Sequence, residues 1–227
     1  MGQNERVSFD RRAVLRDSLS VAIPVGTYGA AFGAAAVAAD FSVLQSCALS
    51  LLLFSGASQF AVVGVMGAGG APLSAIATAA LLGVRNGLYG MRMAPVLQVR
   101  GIKKVLHAQI TIDESTGVAL SQERRGLAAM RFGFTITGLA VFIFWNLFTL
   151  LGALGANAIG DPSAWGLDAA VPAAFLGLLW PRLDSMRTKW AAAGALAVAI
   201  ALTPFVSAGL PIIATVLIAI ALGWQQR

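Results

Sequence analysis

The sequence predicts an all-α, polytopic helical membrane protein. Three observations carry this. Of 227 residues, 58% are hydrophobic and only 11% charged, against roughly 25% charged in an ordinary soluble domain. The mean hydropathy is +0.79. Several apolar runs reach the roughly 20 residues that cross a bilayer as helix. These runs are continuously apolar rather than alternating, which argues against a membrane β-barrel.

The runs fall at residues 18–39, 42–69, 71–94, 127–153, 168–181, 190–206 and 209–224. Residues 1–17 read as a cytoplasmic tail with an amphipathic entry helix. They carry Arg6, Arg11, Arg12 and Arg16 among Glu5, Asp10 and Asp17. No small-residue cleavage site follows a short apolar core, so no cleaved signal is expected. Residues 18–225 form one transporter-type domain, with halves expected at 18–123 and 124–225.

Charge sets the expected orientation. The tail, the 92–131 region and the 182–189 connection are basic. The connections at 39–42 and 153–167 carry Asp40 and Asp161 but no Lys or Arg. The basic segments belong on the cytoplasmic side. The net charge of +6 follows from this bias, and nucleic acid is not an expected partner.

Counting then breaks down between Asp40 and Arg92. An odd number of crossings is required, yet runs 42–69 and 71–94 supply two. Ser55, Gly56, Ser58 and Gln59 interrupt the first of them. Each flank of about 13 residues is about 20 Å long, too short for a core of about 30 Å. The segment 51–64 is therefore expected to break, with both flanks entering and leaving on one side. Non-helical backbone at that depth requires a cavity or protein cover. Residues 103–123 are a second place where the chain can cross or re-enter. Six to eight membrane segments are expected.

An internal repeat is faint. Residues 79–92 and 173–187 share an outline that ends in Met-Arg, and 16–29 and 124–138 both open apolar runs after arginines. Transporters are often built from such halves.

Three constellations could carry function. Arg85 lies inside an apolar span, where a charge costs about 2.5–3.5 kcal/mol on insertion scales. It is expected to face a cavity and hold a substrate carboxylate, or to pair with Asp113 and Glu114; snorkelling to the interface is the alternative. Asn86 follows it, about 100° round the helix. Arg92 reads as an interface anchor. The adjacent carboxylates Asp113 and Glu114 are candidates for proton exchange, against a solvated loop. Gln59, with Ser55, Ser58 and Gly56, sits at the expected break, where freed backbone groups bind ligands; an interhelical hydrogen bond is the alternative.

Pro24, Gly26, Gly29 and Gly33 predict a kinked, small-faced first helix from which Tyr28 could reach a site. Gly29/Gly33 and Gly83/Gly87 both have the spacing of close helix packing. Trp145, Trp165, Trp180, Trp190 and Trp224 read as interface anchors, with Trp145 the least clear. Cys47 is a lone thiol, read as a packed apolar side chain. His107 is the only histidine and reads as solvated. No nucleotide, metalloprotease or serine-hydrolase motif is present, so neither an enzyme nor a cofactor is expected.

The segments "AIPVGTYGAAFG", "FSGASQFAVVGVMGAGG", "GVRNGLYGMRMAP" and "ITIDES" occur in an order that resembles the AzlC-type permeases, over roughly residues 15–225. Where many members carry an Asn two positions before the arginine, this chain has Gly83, with Asn86 just after. The resemblance implies the large subunit of a bacterial branched-chain amino acid exporter in the inner membrane. It implies export of valine, leucine, isoleucine and in some members methionine, and a small hydrophobic AzlD-type partner subunit. Carried over by motif, the site is Gln59 and its neighbours, Arg85, Asp113 and Glu114.

Overall fold

In the computed structural model, the structure describes residues 9–159 and 169–224. Glu5, Arg6, Asp161, Trp165 and Arg227 lie outside them. The described residues are helical, with no strand.

The first helix, α1 (Arg11–Thr27), starts inside the segment expected as a tail, capped by the Asp10 carboxylate on the Arg12 and Ala13 amides. The break at Tyr28 separates it from α2 (Gly29–Ala38). Pro24 lacks the amide that would bond Ser20 O one turn earlier; at the break itself the Tyr28 amide bonds Val25 O, and Thr27 Oγ1 donates to Pro24 O, 2.7 Å. After α2 come α3 (Val43–Leu52), α4 (Gly56–Gly67) and the long α5 (Pro72–Leu97). The short helices α6 (Ile102–Gln109) and α7 (Asp113–Ser121) lead into α8 (Leu127–Ile159). Among the described residues four more follow: α9 (Ala170–Leu179), α10 (Met186–Leu202), α11 (Leu210–Ala214) and α12 (Val216–Trp224).

Among the described residues, two stretches are long and apolar enough to cross a membrane: α1 with α2, and α8. The other segments expected to span run as shorter helices, or, in α5, carry Arg85 and Arg92. The helices α1–α2 and α8 lie side by side and run in the same direction. Val14 packs on Gly133 at one end, Gly26 on Phe144 midway, and Gly33 on Thr149 and Ala153 at the other. A Cβ at Gly29 or Gly33 would run into the α8 backbone at Trp145 or Thr149. Gly83 and Gly87, with the same spacing, make no such approach: nothing lies within 4 Å of a Cβ at Gly87.

The segment 42–69 is a hairpin broken at 53–55. Ser42 caps α3 beside the end of α2, with reciprocal bonds to Gln45. A Cβ at Gly67, the last residue of α4, would lie 2.8 Å from Ala39 Cβ. Both ends of the hairpin thus sit where α2 ends, and its tip reaches mid-bundle. From there α5 runs the full length, about 39 Å. Its end is fixed by Arg131 at the start of α8, whose Nε donates to Val96 O at 2.6 Å.

The segment 102–121 is a second hairpin, entering from that opposite end. His107 stacks on Phe134 rather than standing free in solvent, and Ile110 packs on Gly138. The chain turns at 110–112 and α7 descends until Gln122 and Arg125 reach Asp17. The two tips touch: Gln109 Nε2 donates to Leu51 O at 2.9 Å. Two hairpins from opposite ends therefore meet inside the bundle. Arg11, Arg12, Arg16, Lys103, Lys104, Arg124, Arg125 and Arg131 gather at one end of it.

The core between the tips and α8 is aromatic, built on Phe32, Phe54, Phe60 and Trp145. Trp145 is thus a buried core residue and not an interface anchor. Leu73, Ile76, Val84, Leu88 and Met91 on α5, and Ile143, Leu147 and Leu151 on α8, point outward. Water would make such a surface unfavourable; hydrocarbon does not. The outline shared by 79–92 and 173–187 does not extend to their structure. The first lies within unbroken α5, the second across α9, a 3-10 turn at Trp180–Arg182 and the start of α10.

Candidate functional site

Three helix breaks converge on one cavity of about 320 Å³. That lies at the low end of the roughly 300–1,000 Å³ of small-molecule sites. The α1–α2 kink contributes Pro24, Val25 and Tyr28, the first tip Phe54, Ser55 and Gly56, and the second tip Ile112, Asp113 and Glu114. Arg85 enters from α5, Trp145 from α8 and Gly177 from α9.

The first tip is held by Gln59. Its amide nitrogen donates to Leu53 O at 2.6 Å, which also accepts the Ser55 amide at 2.8 Å, and to Ser50 O in α3 at 3.3 Å. Its amide oxygen accepts the Trp145 indole N–H at 2.8 Å. Gln59 is fully buried and does not line the cavity. A broken helix exposes carbonyls that hydrocarbon cannot satisfy, and this amide donates to two of them. Gly56 makes room for the ring: a Cβ there would lie 3.1 Å from Trp145 Cη2.

Ser58 is likewise buried behind the lining, donating to Ala79 O at 2.9 Å on α5 and accepting from Ser55 Oγ at 3.2 Å. Of the four residues expected to form the first-tip site, Ser55 and Gly56 face the cavity, and Gln59 and Ser58 brace it. Asn86 does not line it either; its Oδ1 is buried without a partner.

The second tip is closed by Ser115, whose hydroxyl accepts the Ile112 amide at 3.1 Å and donates to Ile110 O at 2.7 Å. This leaves Asp113 and Glu114 in the first turn of α7, where the helix dipole favours carboxylates. Both face the cavity.

Arg85 extends from α5 to place Nη1 3.5 Å from Asp113 Oδ2. Its Nε is buried and meets no acceptor. Arg182, which the sequence placed merely among the basic residues of a connection, brings Nη2 to within 3.4 Å of the same oxygen. Arg92, one turn pair further along α5, is exposed, as an anchor should be. Around these charges the walls are apolar: Phe60 lies against Tyr28, Phe32 and Phe175. The site therefore offers a cation with spare donor capacity, two carboxylates and an aromatic pocket within one enclosure.

Opposed broken-helix hairpins, a charged cavity at their tips and an apolar exterior define a helical membrane protein organised around an internal polar site. The chain belongs to the AzlC family: the family model, described as AzlC protein, matches residues 20–159. That match includes both tips, α5 and α8. The chain is also similar to the inner membrane protein YgaZ of Escherichia coli (strain K12), with 28% identity over 194 residues, 80% of this chain and 78% of that protein. No solved structure matches.

Proposed function

We propose that this chain is a secondary transporter that exports branched-chain amino acids across the bacterial inner membrane. The observation that carries the reading is Arg85: a guanidinium in an apolar helix, facing a cavity, with Nε unmatched and its acidic contact long. A substrate carboxylate supplies the acceptors it lacks, in the charge-assisted geometry that guanidinium favours. The ammonium group goes to Asp113 and Glu114, and the branched side chain to the apolar wall at Phe54 and Phe60. AzlC membership supports this choice among small zwitterions. Proton exchange at Asp113 or Glu114 couples release to the proton gradient. A small AzlD-type subunit completes the exporter.

The gathering of basic residues at one end supports a cytoplasmic N-terminus by the positive-inside bias. On that orientation the first hairpin dips in from outside and the second from the cytoplasm, in keeping with the odd number of crossings expected between Asp40 and Arg92.

The test is leucine efflux from preloaded cells lacking their own exporters, expressing this chain with its neighbouring small subunit. The wild type exports leucine, and Arg85→Ala at equal membrane abundance does not. A wild type that is present and folded but exports none of valine, leucine, isoleucine or methionine contradicts the assignment.

A further inference from the structure

The two arginines near Asp113 address a single atom. Arg85 Nη1 lies 3.5 Å and Arg182 Nη2 3.4 Å from Asp113 Oδ2. Neither distance is that of a tight charge-assisted bond, about 2.7–2.9 Å. The carboxylate is shared between two cations that arrive on different elements. Their settings differ: the Arg85 side chain is 27% exposed and belongs to the unbroken α5, whereas that of Arg182 is 58% exposed. Arg182 sits in the 3-10 turn that ends α9, the helix that places Gly177 in the cavity wall. The same helix packs on α2 and α4 and brings Phe175 onto Phe60.

We propose that Arg182 is a positioning residue that latches α9 over an occupied cavity. The inference rests on the reading that a substrate carboxylate binds Arg85. When it does, Arg85 no longer needs Asp113. Asp113, beside the substrate ammonium with Glu114, then keeps Arg182 as its one guanidinium partner, and that pair tightens. In the empty cavity Asp113 is divided and Arg182 is loosely held. Occupancy by a carboxylate is thereby converted into a firmer hold on α9. An occupant without a carboxylate leaves Arg85 on Asp113 and does not engage the latch.

The experiment is the dissociation of radiolabelled L-leucine and of its uncharged-carboxamide analogue, leucinamide, from the purified full chain with its small subunit. Wild type is compared with Arg182→Gln and Arg182→Lys, each checked for an unchanged melting temperature. Arg182→Gln is expected to speed leucine release about fivefold, the scale of a partly exposed ion pair. Arg182→Lys restores most of the slow release, and leucinamide leaves all three proteins at one rate. Leucine release unchanged by Arg182→Gln, with binding intact, overturns the latch and leaves the Arg85 reading standing. Equal acceleration of leucine and leucinamide also overturns it, since the effect then ignores the carboxylate. Wild-type protein that fails to bind leucine overturns both.

Discussion

Trp145 donates its indole N–H to Gln59 Oε1 at 2.8 Å, and both side chains are buried where the first hairpin turns. Through this bond α8 holds the amide that donates to Ser50 O in α3 and to Leu53 O just beyond it. The chain is broken at 53–55 and kept broken by a side chain from the other limb of the hairpin and a ring from the longest helix.

Removing either partner should therefore loosen the tip rather than merely alter the cavity. Gln59→Leu strips the side-chain donor from Ser50 O and leaves Leu53 O to the Ser55 amide alone, and Trp145→Phe leaves the amide oxygen unmatched. Each is expected to cost about 1–3 kcal/mol, read as a lower melting temperature in detergent. Because the two residues share one bond, the double variant should cost less than the sum of the singles.

The glycines of α2 and α5 give a sharper contrast. Gly33→Ala drives a methyl group into the α8 backbone at Thr149, and overpacking of this kind costs about 1–3 kcal/mol. Gly87→Ala meets open space and replaces a poor helix former by a good one, about 1 kcal/mol in its favour. Folded yield and melting temperature should fall for the first and hold or rise for the second.

At the basic end, Arg125 pairs with Asp17 at 3.0 Å, and Gln122 joins both. The charged groups are each more than a third exposed. Arg125→Ala should cost less than about 1 kcal/mol, and the loss should shrink in high salt. A larger, salt-independent loss of melting temperature would mean that this cluster is part of the packed core.

The contact between hairpin tips has its own test. In a Cys47→Ala background, cysteines at Leu51 and Gln109 should be joined by a short bifunctional thiol reagent, because Gln109 reaches Leu51 O. Cysteines at Leu44 and Gln109 should not be, since Leu44 lies at the start of α3, about two turns above the tip.

Much of this was legible in the residues. Ser55, Gly56, Ser58 and Gln59 cut an apolar run into halves too short to span, and that alone predicts a hairpin. The parity of charges between Asp40 and Arg92 demanded the same. The second hairpin was legible only as an option, because His107, Asp113 and the flanking lysines read equally well as a solvated loop. What decides it is the packing of Ile110 and Phe134, which no local pattern carries. The division of labour at the first tip was also hidden. Gln59 and Ser55 are alike as polar residues in an apolar run; only the position of Trp145 makes one a brace and leaves the other on the cavity. The two glycine pairs have identical spacing, and only the neighbour across the helix separates them. Arg182 looked like any arginine at a membrane boundary until Asp113 was seen beside it.

The most direct measurement is equilibrium binding of L-leucine to the purified full chain with the proposed small subunit. Wild type is compared with Arg85→Gln, and with Arg92→Gln as a matched loss of charge on the same helix. If Arg85 holds the carboxylate, Arg85→Gln weakens binding by at least about tenfold, and Arg92→Gln binds as wild type does. Equal affinity in Arg85→Gln and wild type would contradict the central assignment and place the cargo elsewhere in the protein.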